Sequence, residues 1–349
     1  MPEKLKTDIT STKSSSTVVE PIPVVQQEKI PFPRGAVPVV PVAYPTILLA
    51  LCALITYGAT HYLHHIGIIG YGVALGLWTV SAYVSFTPMH DASHASIATR
   101  SSGLRWINDV VGHLCSFPLA APYVAFRYLH LQHHKHTNVP GYDPDMWSSQ
   151  LSTDYPFLLP LHWWTQSHSY IVHYVRDGIL RQKRPVSEVV QVIVVLAVIY
   201  VYPYVSLIMY GFESFAFWCY YFPGSLAIMF LAFVFDYIPH RPHGTTDVYK
   251  ASLITSLTGN NNNNNNNTTA NDEDDENNTY EKKKKQEDIR ITPLTPILLY
   301  QNYHAMHHLY PWVPFYQYSP VWYALQDQFR SKGVRVRSFF PIFVNRTDF

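Results

Sequence analysis

The chain has 349 residues, of which 48% are hydrophobic, 15% aromatic and only 14% charged, a balance that points away from a soluble protein and toward a membrane. A formal net charge of +1 offers no basic groove, so nucleic acid is excluded as an expected partner. The three cysteines, Cys52, Cys115 and Cys219, lie in or near apolar runs and form no CxxC motif or disulfide framework, so a metal would be held through nitrogen and oxygen.

Residues 1–43 are rich in Ser, Thr, Pro and Val without a helical period and predict a disordered or extended tail. The first apolar stretch begins too late for a signal peptide, and Glu3, Asp8, Glu20 and Glu28 argue against a transit peptide. Four stretches then approach the roughly 20 residues that a bilayer demands. They run from about Ile47 to Leu63, Ile66 to Phe86, Val189 to Tyr210 and Phe215 to Tyr237, and pair as two hairpins. Pro203 and Pro223 predict kinks in the last two.

The positive charges set an orientation. The tail carries five Lys and Arg, Arg100 to Arg184 eight, Arg241 to Arg290 seven, and the stretch from Arg330 onward five, which is all 25. Neither hairpin tip, near His64 to Gly72 or Gly211 to Ser214, has one. Short cytoplasmic loops collect positive charge, so both termini and everything outside the tips are expected in the cytosol. Between the hairpins, Leu104 to Phe126 and Phe157 to Val175 have the aromatic, apolar character of helices lying at an interface, forming a cap under a four-helix stem. Residues 260–286, with a run of Asn, an acidic cluster and Lys282 to Lys285, cannot bury a core and predict a disordered insertion.

Histidine carries the chemistry. His90 and His94 stand at i and i+4 in HDASH; His130, His133 and His134 at i, i+3 and i+4 in HLQHH; and His304, His307 and His308 repeat that spacing in HAMHH. On a helix each set projects from one face toward one point. Burying so many imidazoles beside a bilayer is costly unless each has a partner, so a multi-histidine metal site is expected. Eight imidazoles exceed the needs of one ion and imply two; imidazole suits iron, zinc and copper alike. His240, in FDYIPHRPH after the fourth apolar stretch, is a ninth candidate ligand. Asp236, four residues before it, is expected in a direct or water-bridged role and His243 near the ligands, provided the helix continues through Pro239.

Metal-bound imidazoles donate their second N–H to a carboxylate or carbonyl, and Asp91, Asp143 and Asp145 are candidates, with turn chemistry in Tyr142-Asp143-Pro144-Asp145 as the alternative. His113 is a possible outer donor. His61, His64 and His65 fall at a far tip, while His136, His162, His168 and His173 read as ordinary surface or core histidines.

Taken together, HDASH, HLQHHKHTN, FDYIPHRPH and QNYHAMHHLYPWVPFYQY resemble the membrane fatty acid desaturase and hydroxylase superfamily, over roughly residues 45 to 340 without the insertion. They look most like its carotenoid branch, the desaturase-type β-carotene 3-hydroxylases. The resemblance implies an all-α integral membrane protein with a cytosolic helical cap, in the endoplasmic reticulum or a similar endomembrane. It implies a non-haem di-iron centre held by His90, His94, His130, His133, His134, His240, His304, His307 and His308, with O2 as co-substrate. No Rossmann glycine fingerprint is present, so an external electron donor, a ferredoxin or a cytochrome and reductase system, is implied. The implied reaction is oxidation of an unactivated C–H bond: hydroxylation of a carotenoid-like ring, walled by Trp312, Phe315, Tyr316 and Tyr318, or alternatively desaturation of a fatty acyl chain. A membrane metal transporter is the contrasting reading. It would need ligands spread through the spans, whereas all nine candidates fall on one side.

Overall fold

A computed structural model describes residues 28–151, 155–257 and 292–340. The long helices follow directly from the apolar stretches: α1 (Tyr44–His65), α2 (Tyr71–Ser93), α7 (Val186–Glu213) and α8 (Ala216–His240). Three of them, α1, α7 and α8, are long and apolar enough to cross a membrane. The expected second span starts later and ends later than Phe86. Ile66 to Gly70 make the turn, and α2 runs on through His90, with every residue from Ser85 to Ser93 buried. Its 23 residues are long enough to span, but its lower half is a polar, protein-enclosed segment that carries the first histidine box.

The expected kinks take a definite form. Wide π-helical turns at Ala197–Val201, Ala216–Tyr221 and Ala232–Tyr237 each end two positions before a proline, Pro203, Pro223 and Pro239 respectively. Proline lacks an N–H and its ring crowds the carbonyl one turn back, and a wider turn removes that carbonyl from the clash. The helix therefore continues through Pro239 and delivers His240 at its end.

Shorter helices build the cap: α3 (Trp106–Ser116), α4 (Tyr123–His136), α5 (Leu159–Trp164) and α6 (Gln166–His173), the last prolonged by a π-helical stretch to Arg181. In α3, Asn108, Val111, Gly112 and Cys115 face the core, while Trp106, Val110 and Leu114 make an exposed apolar stripe at i, i+4 and i+8 that Phe117 extends. That is the pattern of a helix lying at an interface. Against it, Gly224 of α8 approaches so closely that a Cβ there would sit 2.7 Å from the Pro118 carbonyl oxygen. A buried core formed by Ala82, Phe86 and Met89 of α2 with Val111, Phe126, Leu231 and Phe235 locks α2, α3, α4 and α8 together.

The C-terminal part adds α9 (His304–Leu309) and α10 (Tyr318–Ser331). Outside the all-α expectation, the described residues also form a parallel pair of four-residue strands, β1 (Leu253–Ser256) and β2 (Arg335–Ser338), in register Leu253 to Arg335. Strand β1 is buried throughout, and its branched Ile254 and Thr255 suit an extended, enclosed segment.

The expected tail also differs. Residues 28–43 are extended but packed: Ile30 and Val37 are buried against α9 and α10, the Ile30 N–H donates to Tyr249 Oη (2.8 Å), and Tyr310 Oη donates to the Ile30 carbonyl (2.6 Å). Residues 1–27 and the predicted insertion at 260–286 lie outside the described residues.

Candidate metal centre

Four elements carry the nine candidate histidines inward. His90 lies in the last turn of α2 with His94 just past its end; α4 supplies His130, His133 and His134; α8 ends on His240; and α9 supplies His304, His307 and His308. The structure sorts them into two groups, each compact enough to hold an ion. One nitrogen from each of His90, His94, His130, His134 and His307 lies within 4.8 Å of the others, and the same holds for His133, His240, His304 and His308. Helices α4 and α9 contribute to both groups.

The ring orientations show what this arrangement suits. Within the first group Nε2 atoms face each other at 2.9 Å (His90 to His307), 2.7 Å (His134 to His307) and 2.8 Å (His94 to His130). In the second the distances are 3.0 Å (His240 to His304), 3.1 Å (His304 to His308) and 3.2 Å (His133 to His308). A neutral imidazole has one N–H and one lone pair, so such knots cannot all be satisfied as hydrogen bonds. Converging lone pairs on a shared cation satisfies all of them.

The outward nitrogens fit the same scheme. His133 Nδ1 lies 2.8 Å from Asp143 Oδ1, His240 Nδ1 lies 3.0 Å from the Ala251 carbonyl oxygen beside β1, and His307 Nδ1 lies 3.0 Å from Tyr318 Oη. The carboxylate and the carbonyl can only accept, so they place the proton on Nδ1 of His133 and His240 and leave Nε2 free to ligate, while the Tyr318 hydroxyl holds the His307 ring in orientation. Burial, reinforced in each case by neighbouring imidazoles, pushes His130, His134, His304, His307 and His308 well below the ordinary histidine range and so favours the neutral ligand form. Burial alone would lower His133 too, but Asp143 and Asp145 raise it to about 9.

Asp143 carries both roles considered for it. Beside orienting His133, it accepts the Asp145 N–H at 2.9 Å and the Asn138 N–H at 2.7 Å, which pins the turn after α4. Asp91 works differently from expectation. Its Oδ2 accepts from Thr46 Oγ1 (2.9 Å) and the Phe315 N–H (3.2 Å), while Oδ1 stays 3.9 Å from His90 Nδ1. It fastens α1 and the loop after α9 to the first box.

Asp236 is buried but belongs to neither histidine group; it lines an apolar cavity. His243 is buried with its ring 6.3 Å from that of His240. His113 is exposed and packs on Tyr123, and His61 and His64 pack on Trp78 at the far tip. His136 packs on Tyr142, His162 on Trp147 and His168 on Tyr200, while His173 bonds back to Ser169 and His65 stays at the end of α1.

The cavity, about 120 Å³, begins beside the ligands at Phe86, Met89 and Phe126. It continues between α6, α7 and α8 along Tyr170, Ile171, Leu196 and Tyr200. None of Trp312, Phe315, Tyr316 and Tyr318 lines it, contrary to the aromatic wall expected after the third box. Phe315 and Tyr318 are core residues, and Trp312 packs on Phe32. The Tyr318 and Ala251 contacts were invisible in sequence, because no spacing rule links a box to a partner on a later element.

Comparison with known proteins now decides the family. The family model described as fatty acid desaturase matches residues 63–340. The chain belongs to the fatty acid desaturase family. Among curated proteins, the sn-1 oleoyl-lipid 12-desaturase of Synechocystis is 33% identical over 121 residues, covering 31% of this chain and 33% of that protein. The Delta(12) fatty acid desaturase fat-2 of Caenorhabditis elegans is 36% identical over 78 residues (22% of this chain, 19% of that protein). The sn-1 acyl-lipid omega-3 desaturase (ferredoxin) of Nostoc is 38% identical over 52 residues (15% and 13%). The aligned part thus spans a third or less of these relatives' length. As a member of this family with three apolar helices of spanning length, the chain is an integral membrane protein.

Proposed function

We propose that this protein is a di-iron acyl-lipid desaturase that uses O2 to introduce a double bond into a fatty acyl chain. The observation that carries the reading is the pair of buried imidazole groups at one end of a narrow apolar cavity, in a chain of this family. The relatives named above act, by their names, on an oleoyl-lipid, a fatty acid and an acyl-lipid. They favour the acyl alternative over hydroxylation of a carotenoid-like ring, and Trp312, Phe315, Tyr316 and Tyr318, expected to wall such a ring, do not line the cavity.

In this reading His90, His94, His130, His134 and His307 hold one iron and His133, His240, His304 and His308 the other. Iron held there supplies, with O2, an oxidant strong enough for an unactivated C–H bond, which no side chain can provide. The protein's part is positional. Asp143, the Ala251 carbonyl and Tyr318 hold three ligand rings in fixed orientations, and Phe86, Phe126 and Phe235 pack against the imidazoles and exclude water. The near end of the cavity lies at Met89 and Phe86, next to His90, which supports a reading in which the reacting carbons sit beside the first group. Removing two hydrogens supplies half the electrons that reduce O2 to water, so the other half must come from a donor protein. A ferredoxin is one candidate, since one relative's name specifies it. The charge distribution supports four crossings, α2 being the fourth, with the site on the cytosolic face of an endomembrane.

Expression in a host that makes both acyl lipids and carotenoids, under labelled oxygen gas, tests the reading by mass spectrometry. An acyl product two hydrogens lighter and free of label is expected. A carotenoid or acyl product that gains one labelled oxygen would replace desaturation with hydroxylation.

A further inference from the structure

One side chain in the cavity wall is linked to both histidine groups, through one intervening residue each. Tyr170 lines the cavity from α6, on the same face as Gln166 one turn earlier. Its ring packs against Phe126 at 6.5 Å, and Phe126 in turn stacks on His130 of the first group at 5.3 Å with the rings nearly parallel. Its hydroxyl donates to Asp145 Oδ1, and Asp145 Oδ2 lies 3.3 Å from His133 Nδ1 in the second group.

His133 has a single Nδ1 hydrogen facing two carboxylates, Asp143 at 2.8 Å and Asp145 at 3.3 Å. Asp143 is held in place by two backbone N–H groups, so its position is fixed. Asp145 is different. Its carboxylate takes the Tyr170 hydroxyl, and the strength of that bond decides how much of Asp145 is left to compete for His133. Tyr170 is thus a joint between the surface against which a chain would pack and the hydrogen bond that sets the donor strength of a ligand.

We propose that Tyr170 is a positioning residue that couples occupancy of the cavity to His133. This rests on the reading that the imidazoles hold metal and the cavity holds an acyl chain. A chain filling the cavity presses on the Tyr170 ring, alters its hold on Asp145, and so changes how His133 is oriented and polarised. The second group thereby responds to a substrate that packs along the wall beside the first.

The test uses full-length protein in lipid nanodiscs, loaded with cobalt(II), whose visible absorption reports ligand geometry without turnover. Adding a phospholipid with oleoyl chains should shift the wild-type spectrum. In Tyr170→Phe the shift should fall to less than about a third, because without the hydroxyl the hold of Asp145 on His133 no longer depends on what fills the cavity. In the iron-loaded enzyme the same variant should lower kcat by about ten-fold with KM within about two-fold, whereas a side chain that only shapes the cavity would raise KM. If Tyr170→Phe does not accumulate, Asp145→Asn breaks the link from its other end and should also abolish the lipid response. A Tyr170→Phe spectrum that responds to lipid as the wild type does overturns the coupling, whatever its activity, and so does a wild-type spectrum indifferent to lipid. Product analysis decides the desaturase reading independently.

Discussion

Asp143 stands outside the nine histidines, although with His133 and Asp145 it forms a third group close enough to hold an ion, and its replacement tests the assignment of the second histidine group. Three donors converge on it: His133 Nδ1 at 2.8 Å, the Asp145 N–H at 2.9 Å and the Asn138 N–H at 2.7 Å. Asp143→Ala strands the two backbone N–H groups and leaves His133 only Asp145 at 3.3 Å, and each buried donor left unsatisfied costs about 1–3 kcal/mol. The sum for the two N–H groups, about 2–6 kcal/mol, is a large part of the whole stability of a domain, about 5–15 kcal/mol. The alanine variant is therefore expected not to accumulate. Asp143→Asn is the informative change, because the amide keeps the shape but can offer its oxygen on one side only. If the oxygen stays with Asn138, the amide N–H₂ faces His133 and repels its N–H. Asp145, 3.3 Å from the same nitrogen, compensates in part. The expected result is folded protein whose second metal binds about 10- to 100-fold more weakly and whose activity falls in step. Metal analysis after dialysis against graded chelator, alongside thermal melting in detergent, separates loss of metal from loss of fold. An Asp143→Asn protein that keeps both metals at wild-type affinity would show that His133 needs no carboxylate, and the assignment of Nε2 as its ligand atom would lose its support.

Further changes probe the partition and the packing. His90→Ala and His240→Ala should each leave about one iron per chain where the wild type holds about two, with turnover abolished in both, whereas His64→Ala, at the far tip, should leave iron and activity intact, as elemental analysis and product assays would show. Gly112→Ala would place a Cβ 2.2 Å from the Tyr123 ring, more than an ångström inside ordinary contact, at the point where α4 begins. Overpacking of this kind costs about 1–3 kcal/mol, and with three ligands on the displaced helix, activity should fall about 100-fold in a variant that still folds.

The histidine boxes were legible because a ligand set on a helix leaves a spacing in the sequence. All nine positions read from i, i+3 and i+4 patterns and from His240 at the end of an apolar stretch stand in the two groups. What the sequence did not reveal is which box serves which group. His133 leaves its neighbour His134 for the other cluster, since adjacent residues on a helix point about 100° apart. Partners drawn from distant segments were equally hidden: His240 is aimed by the Ala251 backbone carbonyl, which any residue carries, and Tyr318 looked like one of several aromatics near a membrane. The strand pair escaped because four-residue strands have no period long enough to detect. Asp236 was placed with the ligands on helical spacing from His240, but the π-helical turn between them changes the angle that this spacing assumes, and its carboxyl turns to the cavity.

The strap formed by residues 28–43 leads to a last prediction, because it bears on both histidine groups at once. Lys29 Nζ donates to the Leu309 carbonyl at 3.1 Å and the His308 carbonyl at 3.3 Å, groups that the last turn of α9 leaves without helical partners. Gln317 Nε2 donates to the Pro38 carbonyl at 3.0 Å, and Phe32 packs between Tyr310 and Trp312. Burial of Ile30 and Val37 contributes about 3–6 kcal/mol, and each of the strap's hydrogen bonds to Tyr249, Tyr310 and Gln317 about 1 kcal/mol. Helix α9 is only six residues long, too short to persist without such contacts. It supplies His307 to one group and His304 and His308 to the other. A chain beginning at Val39 should therefore lose metal from both groups together, unlike His240→Ala, which empties one. Metal content and activity of the purified truncation, compared with the full chain at equal expression, would show it. A truncated protein that retains two irons and full turnover would mean that α9 is held by α10 and β1 alone, and that the strap is incidental to the site.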